Sequence, residues 1–254
     1  MHPILFKIGP LNIYSYGVMV ALGFGVMTAF IYFRAPKFNL DRDSIIDFSI
    51  IVLISGVIGA RLLYVLLNFG YFLANPLEVF NFSRGGLAWY GGFVMALLAS
   101  VWYVNKKKLD FWASSDFIAP YIALAQGFGR IGCFLNGCCY GIEAPAGFPL
   151  GLALPHDALR HPAQLYSASL LFAIFVILRV WQDKKRFDGE IFLGYCILYS
   201  IKRFSVEFLR GDNPRILLGL TLSQVISVFL LAVALLLFIS RYRRWKKKIS
   251  TGSK

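Results

Sequence analysis

Apolar residues in this chain come in long, nearly unbroken runs, with polar residues confined to the breaks between them. A helix needs roughly 20 consecutive apolar residues to cross a bilayer. Seven such runs are readable, at about 14–33, 45–67, 87–104, 112–135, 163–181, 190–209 and 220–239. The pattern predicts an all-α integral membrane protein with seven transmembrane helices, forming a single polytopic domain over 1–254. In the first run Gly17, Ala21 and Gly25 recur every fourth residue, a spacing that suits close helix packing. In the segment 68–86, Asn75-Pro76 predicts a break. The Gly/Pro-rich loop 136–162 carries Phe148, Leu150, Leu152 and Leu154, which suggests a small re-entrant or interfacial element.

Composition supports this class: 58% of residues are hydrophobic and only 15% are charged. A soluble domain carries about 25% charged residues. The net charge of +13 would suggest nucleic acid as a partner in a soluble protein. Here the basic residues cluster at 34–44, 105–110, 183–188 and 241–254, which alternate with less basic segments at 1–13, 68–86, 136–162 and 210–219. The positive-inside rule accounts for that alternation without nucleic acid. It places the N-terminus outside and the basic tail 241–254 in the cytoplasm, with 136–162 as an outer loop. No basic region followed by a cleavage site opens the chain, so the first run is expected to direct insertion.

Within that topology several costly residues fall at one depth, toward the outer leaflet. Arg61 lies late in the second run, Tyr90 early in the third and Arg130 late in the fourth. His161 and Gln164 open the fifth, and Arg203, Glu207 and Arg210 close the sixth. At helical spacing 203, 207 and 210 share a face. Ionisable groups within a membrane usually serve a function. Arginine's planar fork of donors matches phosphate oxygens, so a phospholipid headgroup is the expected ligand. Cys133, Cys138 and Cys139 lack a CxxC-like spacing, and Cys196 lies in another run. A metal site wants four suitably placed ligands, so packing is the expected role and no metal is predicted.

Five blocks together resemble the bacterial prolipoprotein diacylglyceryl transferase family. They are Ser15-Tyr16-Gly17; Gly59-Ala60-Arg61 with Tyr64; Gly129-Arg130-Ile131-Gly132 followed by Phe134, Asn136-Gly137 and Gly141; Arg160-His161-Pro162 with Gln164-Leu165-Tyr166; and Arg203-Phe204 with Glu207 and Arg210. Gly219-Leu220-Thr221 with Gln224 and Ser227 adds a weaker echo. The resemblance implies a multi-pass enzyme of the bacterial inner (cytoplasmic) membrane, with its active site toward the outer leaflet. It would move the diacylglyceryl group of phosphatidylglycerol onto the lipobox cysteine of a prelipoprotein signal peptide, forming a thioether and releasing glycerol phosphate. Bacterial membrane lipids would be its surroundings, and no cofactor would be needed.

By position, the resemblance implies Arg130 and Arg203 as essential arginines, with Tyr16, Asn136, Gly141 and Glu207 supporting them. The depth argument adds Arg61, His161, Gln164 and Arg210 to the supporting set. Tyr90 stands where better-studied members have histidine and is the expected proton acceptor. Cys133, Cys138 and Ser167 replace the family's Asn, Glu and Glu. These departures leave two other readings open, a paralogous transferase with a different acceptor and a non-catalytic phospholipid-binding or transport protein.

Overall fold

The computed structural model describes residues 2–9, 11–38, 40–81, 85–145, 147–153, 159–217 and 219–250. Leu154 and the last four residues of the basic tail lie outside them. An N-terminal hairpin of β1 (Ile4–Ile8) and β2 (Leu11–Tyr14) leads into α1 (Ser15–Arg34). Then come α2 (Arg42–Leu67), the short α3 (Phe69–Ala74), α4 (Trp89–Lys106) and α5 (Phe111–Asn136). A pair of two-residue strands, β3 (Leu152–Ala153) and β4 (Leu159–Arg160), occupies the following loop. The chain closes with α6 (Ala163–Gln182), α7 (Glu190–Glu207), β5 (Arg215–Leu217), β6 (Leu220–Thr221) and α8 (Leu222–Ser250).

Among the described residues, five segments are long and apolar enough to cross a membrane: Ser15–Phe38, Arg42–Leu67, Phe111–Asn136, Ala163–Gln182 and Leu222–Ser250. The chain is a mostly helical, multi-pass membrane protein. Two helices fall short for visible reasons. α4 is rich in Trp, Tyr and Gly, and α7 carries Glu190, Lys202, Arg203 and Glu207. Leu62, Leu98, Phe229 and Leu236 are each more than half exposed, the reverse of a soluble surface. α8 differs from the expected run by continuing to Ser250. Nothing between Arg241 and Ser250 breaks a helix, and Lys and Arg are good helix formers that suit a C-terminal end.

The chain divides into two compact units, Met1–Ala29 with Ser115–Lys254, and Phe30–Ser114. In the second unit α2 and α4 cross antiparallel on a seam of small residues. A Cβ on Gly59 would meet Met95 Cβ at 2.4 Å and Gly91 O at 2.5 Å. Gly56 and Ala60 face Gly92 and Ala96 in the same way. Backbones this close are the small-xxx-small solution to packing in lipid. The Gly17 and Gly25 stripe makes no such contact. Neither has a neighbour within 4 Å of its Cβ position, and Gly23 takes the close approach instead, against Ala125 and Phe128 of α5.

The first unit packs Ala119 and Ala123 of α5, Leu171, Ile174 and Leu178 of α6, and Ile191 and Tyr195 of α7 into one apolar core. Pro120 interrupts α5 and, having no N–H, leaves the carbonyl four residues back without its helical donor. That carbonyl belongs to Asp116. It accepts from Gln182 Nε2 of α6 at 2.8 Å, and the Phe117 carbonyl accepts from the same nitrogen at 3.1 Å. The Asp116 carboxylate is fully buried and accepts the backbone N–H groups of Gly189, Ile191 and Phe192 at 2.7–2.9 Å. It therefore caps the N-terminus of α7 from a different helix, meeting orphan donors and the positive dipole end together.

Candidate active site

Glu207, on the last turn of α7, is the centre of the polar network in the first unit, and its side chain is 0% exposed. A buried carboxylate demands partners. Its Oε1 accepts from Asn213 Nδ2 at 2.5 Å and from the Thr221 hydroxyl at 2.8 Å. Its Oε2 faces Arg203 Nη1 at 2.7 Å as an ion pair outside hydrogen-bond geometry, with Arg210 Nε at 3.9 Å. Arg203 also donates through Nη2 to Ser223 Oγ at 2.6 Å, so its fork is fixed from both sides. Arg210 makes a two-pronged contact with Asp212 at 2.8 and 2.6 Å. Thr221 and Gln224 form a capping box at the start of α8: Thr221 N donates to Gln224 Oε1 at 2.9 Å, and Gln224 N to Thr221 Oγ1 at 3.3 Å.

The loop after α5 is stitched to this network through its backbone. Gly141 N donates to His161 O at 3.0 Å, Ile142 N to Leu209 O at 2.9 Å and His161 N to Ile142 O at 3.0 Å. A Cβ on Gly141 would sit 2.4 Å from His161 O and 2.7 Å from Leu209 O, which leaves glycine as the residue that fits. Gln164, buried at the start of α6, donates to Cys138 O at 2.8 Å. The His161 ring lies tilted against that of Phe148, 4.6 Å between centroids, and sets Nδ1 at 3.4 Å from the Tyr166 hydroxyl, so it braces the loop against α6.

Arg130 lies late in α5, one turn before that loop. It is half-buried, and no hydrogen bond or ion pair ties its guanidinium to another described residue. Arg203, Lys202 and Tyr16 all feel its charge. Tyr16 is held nearby because α1 packs closely on Gly132. Asn136 ends α5 exposed. Lys202 of α7 is buried, donates to Ser167 Oγ of α6 at 3.0 Å and lies 4.8 Å from the centre of the Tyr199 ring. Cys133, Cys138 and Cys139 are free thiols whose sulfurs all lie within 4.8 Å of one another.

Two expected site residues belong to the other unit. Arg61 is buried, and its guanidinium donates to the carbonyls of Glu78, Val79, Asn81, Gly85 and Gly86. A guanidinium has five N–H donors, so Arg61 holds the segment after α3 to α2. Tyr90 is the second residue of α4, is 67% exposed and lies edge-on to Trp89.

The prolipoprotein diacylglyceryl transferase family model matches residues 3–240. The chain belongs to this family. It is similar to a phosphatidylglycerol–prolipoprotein diacylglyceryl transferase of Clostridium tetani, 36% identical over 251 residues that cover 96% of this chain and 100% of the relative. It is also similar to phosphatidylglycerol–prolipoprotein diacylglyceryl transferase 2 of Clostridium perfringens, 35% identical with both chains fully covered. A Clostridioides difficile relative is 34% identical over 90% of each chain. Every residue of the Glu207 network lies within the family match.

Lys202, Ser223 and Asn213 were not among the residues singled out from the sequence. A lysine beside a motif arginine reads as another interfacial charge until the fold buries it. The polar turn 210–219 showed its Asp, Asn and Pro but not that Asn213 would reach back to Glu207.

Proposed function

We propose that this chain transfers the diacylglyceryl group of phosphatidylglycerol to the lipobox cysteine of prelipoproteins, acting as one polytopic domain with seven membrane crossings. The N-terminus lies outside, the tail in the cytoplasm and the site toward the outer leaflet of the bacterial inner membrane. The alternation of basic and less basic segments supports that topology. Partners for the charges of α7 support a seventh crossing: Arg203 with Glu207, Lys202 with Ser167 and Glu190 with Trp181.

The observation that carries the reading is an excess of basic groups over acids. Glu207 answers Arg203 and Asp212 answers Arg210, which leaves Arg130 and the Lys202 amine without a carboxylate among the described residues. A phosphodiester supplies that anion, and the demand grows as the reaction proceeds. Sulfur attacks the terminal glyceryl carbon, the carbon–oxygen bond breaks, and glycerol phosphate departs with one more negative charge. Arg130 and Arg203 stabilise that developing charge, and a prepositioned donor of this kind contributes about 3 kcal/mol. Glu207 aims Arg203, while Arg210, Gly141, His161 and Gln164 hold the loop that follows Asn136. Tyr16 flanks Arg130, and Arg61 braces its own unit.

The test is to incubate the purified protein with phosphatidylglycerol and a lipobox peptide, then weigh the peptide. A gain of one diacylglyceryl unit, absent with Arg130→Ala and with a serine peptide, is the expected result. Folded protein that leaves the peptide unchanged, beside an active relative, overturns the reading in favour of a different acceptor.

A further inference from the structure

Cys133, Cys138 and Cys139 take no part in that chemistry, yet the fold brings them together. Cys133 sits on the last turn of α5. The chain then reverses through two left-handed residues, Gly137 at φ +77° and Cys139 at φ +62°. A non-glycine residue rarely adopts that conformation, and here it turns the third sulfur back toward the first. Spacing along the chain argued against a metal, but the folded distances do not. Three thiolates on a tetrahedral zinc, with Zn–S near 2.3 Å, stand about 3.8 Å apart. The sulfurs already lie within 4.8 Å of one another.

Hydrogen bonds hold the loop in this shape: Gly137 N to Phe134 O at 3.2 Å, Cys138 N to Cys133 O at 3.1 Å and Gln164 Nε2 to Cys138 O at 2.8 Å. None of the three cysteines forms a disulfide and each is only half-buried, so an exchangeable ligand can reach them. Arg130 and Arg210 are within electrostatic reach of Cys139, which offsets the negative charge of a three-thiolate site. Three protein ligands and one open position are the pattern of a catalytic rather than a structural zinc.

We propose that Cys133, Cys138 and Cys139 hold one thiophilic divalent cation, zinc by ligand chemistry, with its fourth position open to the thiol of the acceptor peptide. The second half rests on the transferase reading. The incoming thiol displaces a water ligand, and its proton passes to solvent. Coordination keeps the sulfur as thiolate. A sulfur lone pair then forms the bond to the glyceryl carbon while the carbon–oxygen bond breaks, its electrons leaving on glycerol phosphate. The thioether, a weak ligand, departs and water returns.

The experiment uses the full chain in detergent, purified under reducing conditions, loaded with Zn²⁺ or Co²⁺ and freed of excess metal. One zinc per chain is expected, falling about tenfold in Cys139→Ser and in the triple serine variant. The cobalt form should show a thiolate-to-metal charge-transfer band in the wild-type chain itself, independent of any variant's folding. Its visible bands should shift on adding a lipobox peptide and stay fixed with the serine peptide. Background zinc in folded wild-type protein, equal zinc in the triple variant, or a disulfide within the cluster in anaerobically purified protein overturns the site. Cobalt bands that ignore the cysteine peptide, or full transfer after complete metal removal, overturn the open position. Zinc-loaded protein that binds metal but transfers nothing counts against the transferase reading and leaves the metal site standing.

Discussion

The Thr221 hydroxyl, which caps α8, donates to the carboxylate of Glu207 at the end of α7. One oxygen thereby joins the start of one helix to the acid that orients Arg203. Thr221→Val keeps the shape and removes both bonds. It should lower stability by about 1–2 kcal/mol and slow turnover about tenfold through a misplaced Arg203. Thr221→Ser should restore most of both. Thermal melts in detergent and a peptide-transfer assay check this.

Arg203 and Glu207 act as a pair. Arg203→Lys retains charge but loses the fork shared between Glu207 and Ser223, so the turnover rate should fall about 100-fold. Glu207→Gln frees the arginine and should cost a similar amount. The double variant should be no worse than either single one, because groups in one network do not add. Additive losses would show that the two residues work separately.

Gly141→Ala places a methyl against the backbone oxygens of His161 and Leu209. Backbone gives way poorly, so the loop should shift at a cost of about 1–3 kcal/mol. Activity should fall with the shift, and limited proteolysis between α5 and α6 should speed up.

Gln182→Leu leaves the carbonyls of Asp116 and Phe117 buried without that donor, a loss of about 2 kcal/mol or more. Adding Pro120→Ala returns a helical N–H to the Asp116 carbonyl and should recover part of it. Melting temperatures of the two single variants and the double decide this, and an absence of recovery would mean that Gln182 contributes by packing.

The helices and the arginine-bearing motifs were legible because both are local: an apolar run shows its own length, and Arg203, Glu207 and Arg210 show their helical spacing. What escaped reading depends on contacts across the fold. The role of Asp116 follows only from the fold, where α7 brings its N-terminus over the carboxylate. Arg61 showed its depth in the second run but not its partners, because its donors go to carbonyls of a segment whose path no periodicity encodes. The Gly17 stripe had the right spacing for packing, while Gly23, outside the stripe, makes the contact. Spacing tells which residues share a face and not which face meets a neighbour. The same limit hid the cysteines, which are close because of two left-handed turns.

The proline in α5 also bears on how the protein is made. A nascent α5 entering lipid alone carries a carbonyl at Asp116 that its own backbone cannot satisfy, and the hydrocarbon offers no water to satisfy it. The donor arrives with Gln182, at the far end of the next helix to be synthesised. The carbonyl gains this partner only once α6 is complete, so α5 and α6 are expected to settle in the bilayer as one hairpin.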